Sequence, residues 1–225
     1  MTGSPDILIT ATFLATESTL VEEVVDPRLV VAIQNAAERA AVSIVSGLMS
    51  RSDASDLHGF AICTISDATS VYWRAETNEQ LKDRASRMLI KMLAQGSSAP
   101  LTSPDVLAMY RFEPADWPIA QSSDDKASLK SLNAAIDDFW TVFEKRYHDD
   151  EVYLELAPTA SEVVLRAIGE GLLRARTQLD WSPVGSPERL AIFVWVHDPD
   201  DPQIVREIAQ TLNDPATFAE FSSRH

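Results

Sequence analysis

Two stretches of the chain set histidine beside carboxylates. They are His148-Asp149-Asp150-Glu151 and His197-Asp198-Pro199-Asp200-Asp201. Imidazole and carboxylate are the ligands a transition metal needs, and a bound metal would activate water for hydrolysis. Neither stretch has an established ligand spacing such as His-Glu-x-x-His. A structural reading competes with the chemical one. Asp-Pro-Asp-Asp is turn chemistry ahead of a helix, where acids complement the dipole. His-Asp-Asp-Glu also suits a solvated loop after a helix. A metal-assisted hydrolase built on one cluster is therefore the alternative function, and no cofactor is otherwise called for.

Nucleophilic catalysis has less to build on. Cys63 lies inside the apolar run Phe60 to Ile65, where a thiol behaves as a small buried hydrophobe. His58 is five residues earlier, so a regular strand would point the two side chains to opposite faces. There is no Gly-x-Ser-x-Gly elbow, P-loop or Gly-x-Gly-x-x-Gly run among the seven glycines. Arg84, Arg87 and Lys91 share one face of a helix, away from its apolar stripe. That arrangement is expected to be solvated or paired with acids. Trp117, in the turn Pro114-Ala-Asp116-Trp117-Pro118, combines a large contact area with a polar N–H beside a carboxylate. It would either line a binding surface or plug the edge of the core.

The elements that position these residues follow from periodicity. A first strand is expected over Ile7 to Leu14. Asp26-Pro27 opens a helix whose apolar face runs through Val30, Ile33, Ala37, Ala40, Ile44 and Leu48. Phe60–Ile65 and Val71–Trp73 read as a hairpin across a small polar loop. Thr77 and Gln80 have capping-box spacing for a helix with Leu81, Ala85, Met88, Leu89 and Met92 inward. Val106–Phe112 and Val152–Leu156 read as strands. Leu129 to Tyr147 is a long amphipathic helix holding Trp140. A second capping box, Thr159 and Glu162, opens another helix. Leu190–Val196 reads as a central strand, followed by a helix over Gln203–Leu212 and a short one near Pro215–Phe221. The fold class expected is α+β, with a mixed, mainly antiparallel sheet packed against several amphipathic helices. One domain over 1–225 is expected, with residues 1–57 as a strand and helix extension on a core over 58–221.

Composition bounds the function. The 225 residues carry 34 acids and 19 bases, a formal charge of −15. That balance lacks the electrostatic footprint of a duplex nucleic-acid binder or an anionic-membrane binder. One cysteine rules out an intrachain disulfide and fits a reducing compartment, so a cytoplasmic setting is expected. The first twenty residues carry no basic n-region, so no secretory signal is expected. The charge is uneven: −5 over 1–57, +1 over 58–111, −7 over 112–157 and −4 over 158–225. The excess belongs to the folded surface rather than to a tail.

The stretch Arg111-Phe-Glu-Pro114-Ala-Asp116-Trp117 resembles a motif of a bacterial family of unknown function, domain of unknown function 4303. Gly59-Phe60-Ala61-Ile62, Glu76-Thr77-Asn78-Glu79, Val194-Trp195-Val196-His197-Asp198 and Leu212-Asn213 are similar to its other recurrent features. The resemblance spans residues 58–221. It implies a fold, and no catalytic residue, because no activity is established for the family.

The function expected from these readings is an acidic protein-binding module, of the immunity type, that meets a basic protein such as a toxin. No catalytic constellation is recognisable. The binding residues expected are Arg111, Asp116 and Trp117 of the turn and His148, Asp149, Asp150 and Glu151 of the loop, all but Arg111 within the most acidic segment.

Overall fold

The computed structural model describes residues 25–95, 106–107, 110–120, 126–199 and 201–223. The strand expected over Ile7 to Leu14 lies outside them. Among the described residues there are six α-helices, α1 Pro27–Met49, α2 Asn78–Ala94, α3 Lys126–Arg146, α4 Asp150–Gln178, α5 Pro202–Leu212 and α6 Pro215–Ser222. Four strands accompany them, β1 Leu57–Ile65, β2 Val71–Thr77, β3 Ile119–Ala120 and β4 Ala191–His197. The fold is α+β. The sheet order is β3-β2-β1-β4, with β1 antiparallel to β2, β2 antiparallel to β3, and β1 parallel to β4.

Local chemistry sets most boundaries. Asp26 caps α1 through the Arg28 N–H at 2.9 Å, and Pro27 occupies its first turn. Thr77 and Gln80 close a capping box, with both reciprocal bonds present at 3.2 and 3.1 Å. Asp201 and Asp214 cap α5 and α6 as Asp26 caps α1, accepting from the Gln203 and Ala216 N–H groups at 2.8 and 2.9 Å.

The sheet separates two apolar layers. Phe60, Ile62, Trp73 and Ala75 face α1, α3 and α4, and this side holds the larger core. Ala61, Cys63 and Phe193 face Phe112, Trp117 and Phe221 on the other side. Helix α1 has the length and apolar composition of a membrane crossing. Its Ile33, Ala37, Ala40 and Ile44 are nevertheless buried in the core. Small residues let α1 and α4 approach closely, since a Cβ on Gly171 would fall 2.5 Å from the Gln34 carbonyl oxygen.

Three expected strands take other forms. Val106–Phe112 is no strand: residues 106, 107 and 110 are helical and lead into a turn. Val152–Leu156 lies inside α4, which starts ten residues upstream of the expected helix. Asp149 accepts from the Glu151 and Val152 N–H groups at 3.1 and 3.4 Å, so the helix is capped there and not at Thr159. The alternation that mimicked a strand is solvent-facing, with Val152 and Leu154 exposed. Pro158 costs about 3 kcal/mol inside a helix. Burial of Ala160, Val163, Val164, Ala167 and Ile168 just beyond it exceeds that cost. Strand β4 is apolar, as a central strand would be, yet it lies at the end of the sheet. Helix α5 covers it, and the Asn213 side chain bonds both the N–H and the C=O of Ile192, each at 2.8 Å.

Candidate functional site

The Trp117 turn is built from a short 3-10 segment, Pro114–Asp116, closed by the Trp117 N–H on the Pro114 carbonyl at 3.1 Å. Proline fixes φ for that turn, and the chain then drops the indole into the minor apolar layer. Trp117 is fully buried. Its ring meets His58 edge-on at 5.5 Å between centroids and Phe193 at 6.4 Å. It also lies directly on the Cα of Gly59.

Beneath the turn is a buried polar constellation. His58 and Glu76 are completely buried within strands, and Arg84 reaches them from α2 with 12% of its side chain exposed. Arg84 donates from Nε and Nη2 to the two Glu76 carboxylate oxygens at 2.9 and 2.8 Å. This bidentate geometry is the strong form of the pair. Nη2 also donates to the Tyr110 carbonyl at 2.7 Å. With Glu76 already accepting from Arg84, its Oε2 accepts from His58 Nε2 at 3.0 Å. Among the described residues, His58 Nδ1, Arg84 Nη1 and Trp117 Nε1 have no hydrogen-bond partner. Buried charge of this kind is stable only while every partner stays in place. The constellation therefore clamps the turn to β1, β2 and α2.

The sequence reading missed this cluster. A β-bulge between Leu57 and Gly59 returns His58 to the Cys63 face of β1, against the opposite-face expectation. Five residues of strand still separate the two side chains by about 16 Å, so they form no catalytic pair. Arg84, expected to be solvated or paired with acids, pairs with an acid that is itself buried, Glu76. The available signal was Glu76 itself, an acid alternating with Tyr72 and Arg74 on one face of a strand whose other face is Trp73 and Ala75. Burial pushes the Cys63 thiol up to about 12, with its contact to Tyr72 and the charge of Arg74 acting the other way. That is an inert thiol.

The expected binding residues divide between two places. Arg111 pairs with Glu220 at 2.6 Å and lies over the Phe112 ring, tying the turn to α6. Asp116 is 65% exposed, with Oδ2 4.0 Å from Arg84 Nη1. His148, Asp149, Asp150 and Glu151 form the exposed corner between α3 and α4, across the sheet from Trp117. Their structural role is the start of α4, where carboxylates complement the helix dipole. In the second histidine cluster, Asp201 caps α5 and Asp198 holds a left-handed φ of 50°. Among the described residues, no three His, Cys, Asp or Glu side chains come together as metal ligands.

The Trp117 turn instead meets the His197 loop. Glu113 and Ala115 of the turn, Trp195 to Pro199 at the end of β4, Val205 and Arg206 of α5, and Phe221 of α6 enclose a groove of about 340 Å³.

The family model described as Domain of unknown function (DUF4303) matches residues 37–214. No curated protein and no solved structure matches the chain. Gly59, Glu76, Trp117 and Asn213 fall in four of the stretches that carried the resemblance. The first three converge on the clamp, and Asn213 closes the edge of the neighbouring strand β4.

Proposed function

The chain belongs to this family of unknown function, and we propose that it is a protein-binding module whose acidic surface receives a basic partner, as an immunity protein receives its toxin. The observation that carries the reading is the corner between α3 and α4. Val142, Val152 and Leu154 are exposed there, Leu154 by 70%. The same stretch exposes five acids, Glu144, Asp149, Asp150, Glu151 and Glu155, against two bases, Lys145 and Arg146. Apolar side chains set among carboxylates are what a partner of opposite charge requires, because the apolar contacts hold it and the charges speed and orient its arrival.

The local field agrees with this. Burial raises the Tyr153 phenol above its ordinary range, and the nearby Glu144 and Asp67 charges raise it further. The corner also lies in the segment 112–157, which carries a net charge of −7. The buried clamp under Trp117 serves this reading as scaffold, since no substrate reaches Glu76. A cytoplasmic setting, where Cys63 stays a thiol, is part of the same proposal.

The test is co-purification of the tagged chain with each protein encoded beside it, at low and at high salt. A complex with a basic neighbour that weakens as salt rises supports the proposal. Failure to retain any neighbour at low salt overturns it.

A further inference from the structure

We propose that the exposed end of α2 docks on the α3–α4 corner of a second copy of this chain. The contact goes beyond the reading above: it uses the same corner but needs no foreign partner. Helix α2 enters the fold through its first half, where Leu81 and Ala85 are buried. Its apolar stripe then runs out into solvent. Met88, Leu89 and Met92 are only half-buried, and Ile90 and Leu93 are 67% and 60% exposed. Those two side chains are three residues apart, so they share one face of the helix. Arg87 stands one turn before Ile90, and Lys91 one turn after Arg87, both exposed. Arg87 pairs with Asp83 one turn back, at the surface. From there on, residues 86–95 hold two bases and no acid.

Such a helix end is matched by apolar side chains set among carboxylates. The chain itself carries that surface. At the α3–α4 corner Val142, Val152 and Leu154 are exposed, and residues 142–155 hold five acids against two bases. The two faces are opposite in charge, and both expose apolar side chains. Each copy also carries −15 overall, which opposes association. Beyond about 8 Å that repulsion is screened at physiological ionic strength, whereas charges brought into contact are screened much less. The assembly is therefore weak, and a basic partner that binds the corner displaces it. The faces belong to different elements, so the copies join head to tail rather than through one shared face.

Sedimentation velocity of the full chain, over a concentration series in about 0.15 M salt, tests the contact. Two variants are compared. One carries Ile90→Ser and Leu93→Ser on α2, the other Val152→Ser, Leu154→Ser and Glu155→Gln on the corner. All five positions are exposed, so the core is left intact, and matching thermal melts check this. The unaltered chain is expected to associate reversibly as concentration rises, and each variant alone at least about tenfold more weakly. The decisive arm is their mixture. The α2 variant keeps an intact corner and the corner variant keeps an intact α2, so together they should form a one-to-one pair that neither forms with itself. An unaltered chain that stays monomeric at its highest soluble concentration overturns the proposal. So does association that survives in either variant alone, which would mean pairing of like faces, and so does a mixture that associates no better than its parts. A monomeric chain that binds phosphatidylserine vesicles through Ile90 and Leu93 overturns it in favour of a membrane surface. No other protein is present, so these outcomes are independent of the co-purification test.

Discussion

The Trp117 indole rests on the bare Cα of Gly59, so closely that a Cβ there would fall 2.3 Å from Cη2. The two residues are 58 positions apart, yet each specifies the other. Glycine is needed because the ring fills the space of a side chain, and the ring is held there by the turn closed on Pro114. The first prediction follows from this contact. Gly59→Ala should destabilise the chain by about 1–3 kcal/mol through overpacking. Trp117→Leu alone should cost a comparable amount by leaving a cavity. Combined, the two should cost less than their sum, because the smaller side chain admits the methyl group. A double-mutant cycle by urea unfolding measures the coupling, and strict additivity would refute the contact.

The charges beneath the turn give a second prediction. Arg84→Met leaves the Glu76 carboxylate buried with His58 alone, at an expected cost of about 3–5 kcal/mol. Adding Glu76→Gln removes the orphaned charge while keeping an acceptor for His58. The double variant should therefore be more stable than Arg84→Met alone. If the second substitution only adds to the loss, the pair is not the clamp described.

Much of this architecture is written locally and is readable as such. Asp26-Pro27, the Thr77–Gln80 capping box and the hairpin from Phe60 to Trp73 involve neighbours in sequence, and each takes the form its residues demand. The misreadings have physical causes. Val152-Tyr-Leu-Glu-Leu156 alternates, but Asp149 caps a helix before it, so Val152 and Leu154 face water while Leu156 packs on the core. The clamp was illegible for a different reason. His58 meets Glu76 across a strand pair whose register contains a bulge, and Arg84 joins from a helix whose rotation follows from packing only Leu81 and Ala85 fully inward. The list of expected binding residues joins a turn to a helix start. It could not show that Trp117 and His148 lie across the sheet from one another.

A third prediction concerns the covered edge of β4. The Asn213 side chain accepts from the Ile192 N–H and donates to both the Ile192 and Ala209 carbonyls. Asn213→Ala leaves backbone groups of a buried strand without partners, at about 1–3 kcal/mol for each unsatisfied group. Hydrogen exchange should quicken at the Ile192 amide beyond the change at Trp73 on β2. A uniform change across the sheet would contradict the edge role.

The fourth prediction is a pH dependence. The Cys63 thiol is raised by burial from its ordinary 9.0 to about 12. Between those values the unfolded chain has lost the proton and the folded chain keeps it. Stability is therefore unaffected below the unfolded value and falls as pH rises above it, by up to about 1.4 kcal/mol per pH unit. Cys63→Ala should remove this slope, leaving a shallower alkaline decline from the remaining groups. The native thiol should also react with a disulfide reagent only as fast as the chain opens. Parallel alkaline limbs for the two proteins, or fast labelling of the native chain, would contradict the buried assignment.

The central claim is that the α3–α4 corner receives a basic protein. The most direct measurement is titration calorimetry of the chain against the basic product of a neighbouring gene, over a series of salt concentrations. The comparison chain carries Val152→Ser, Leu154→Ser and Glu155→Gln, exposed positions whose substitution leaves the core intact. The account predicts a stoichiometric complex that weakens steadily with salt, and a loss of at least about tenfold in affinity in the altered chain. Undetectable binding at low salt, or an affinity indifferent to both salt and the altered corner, would contradict it.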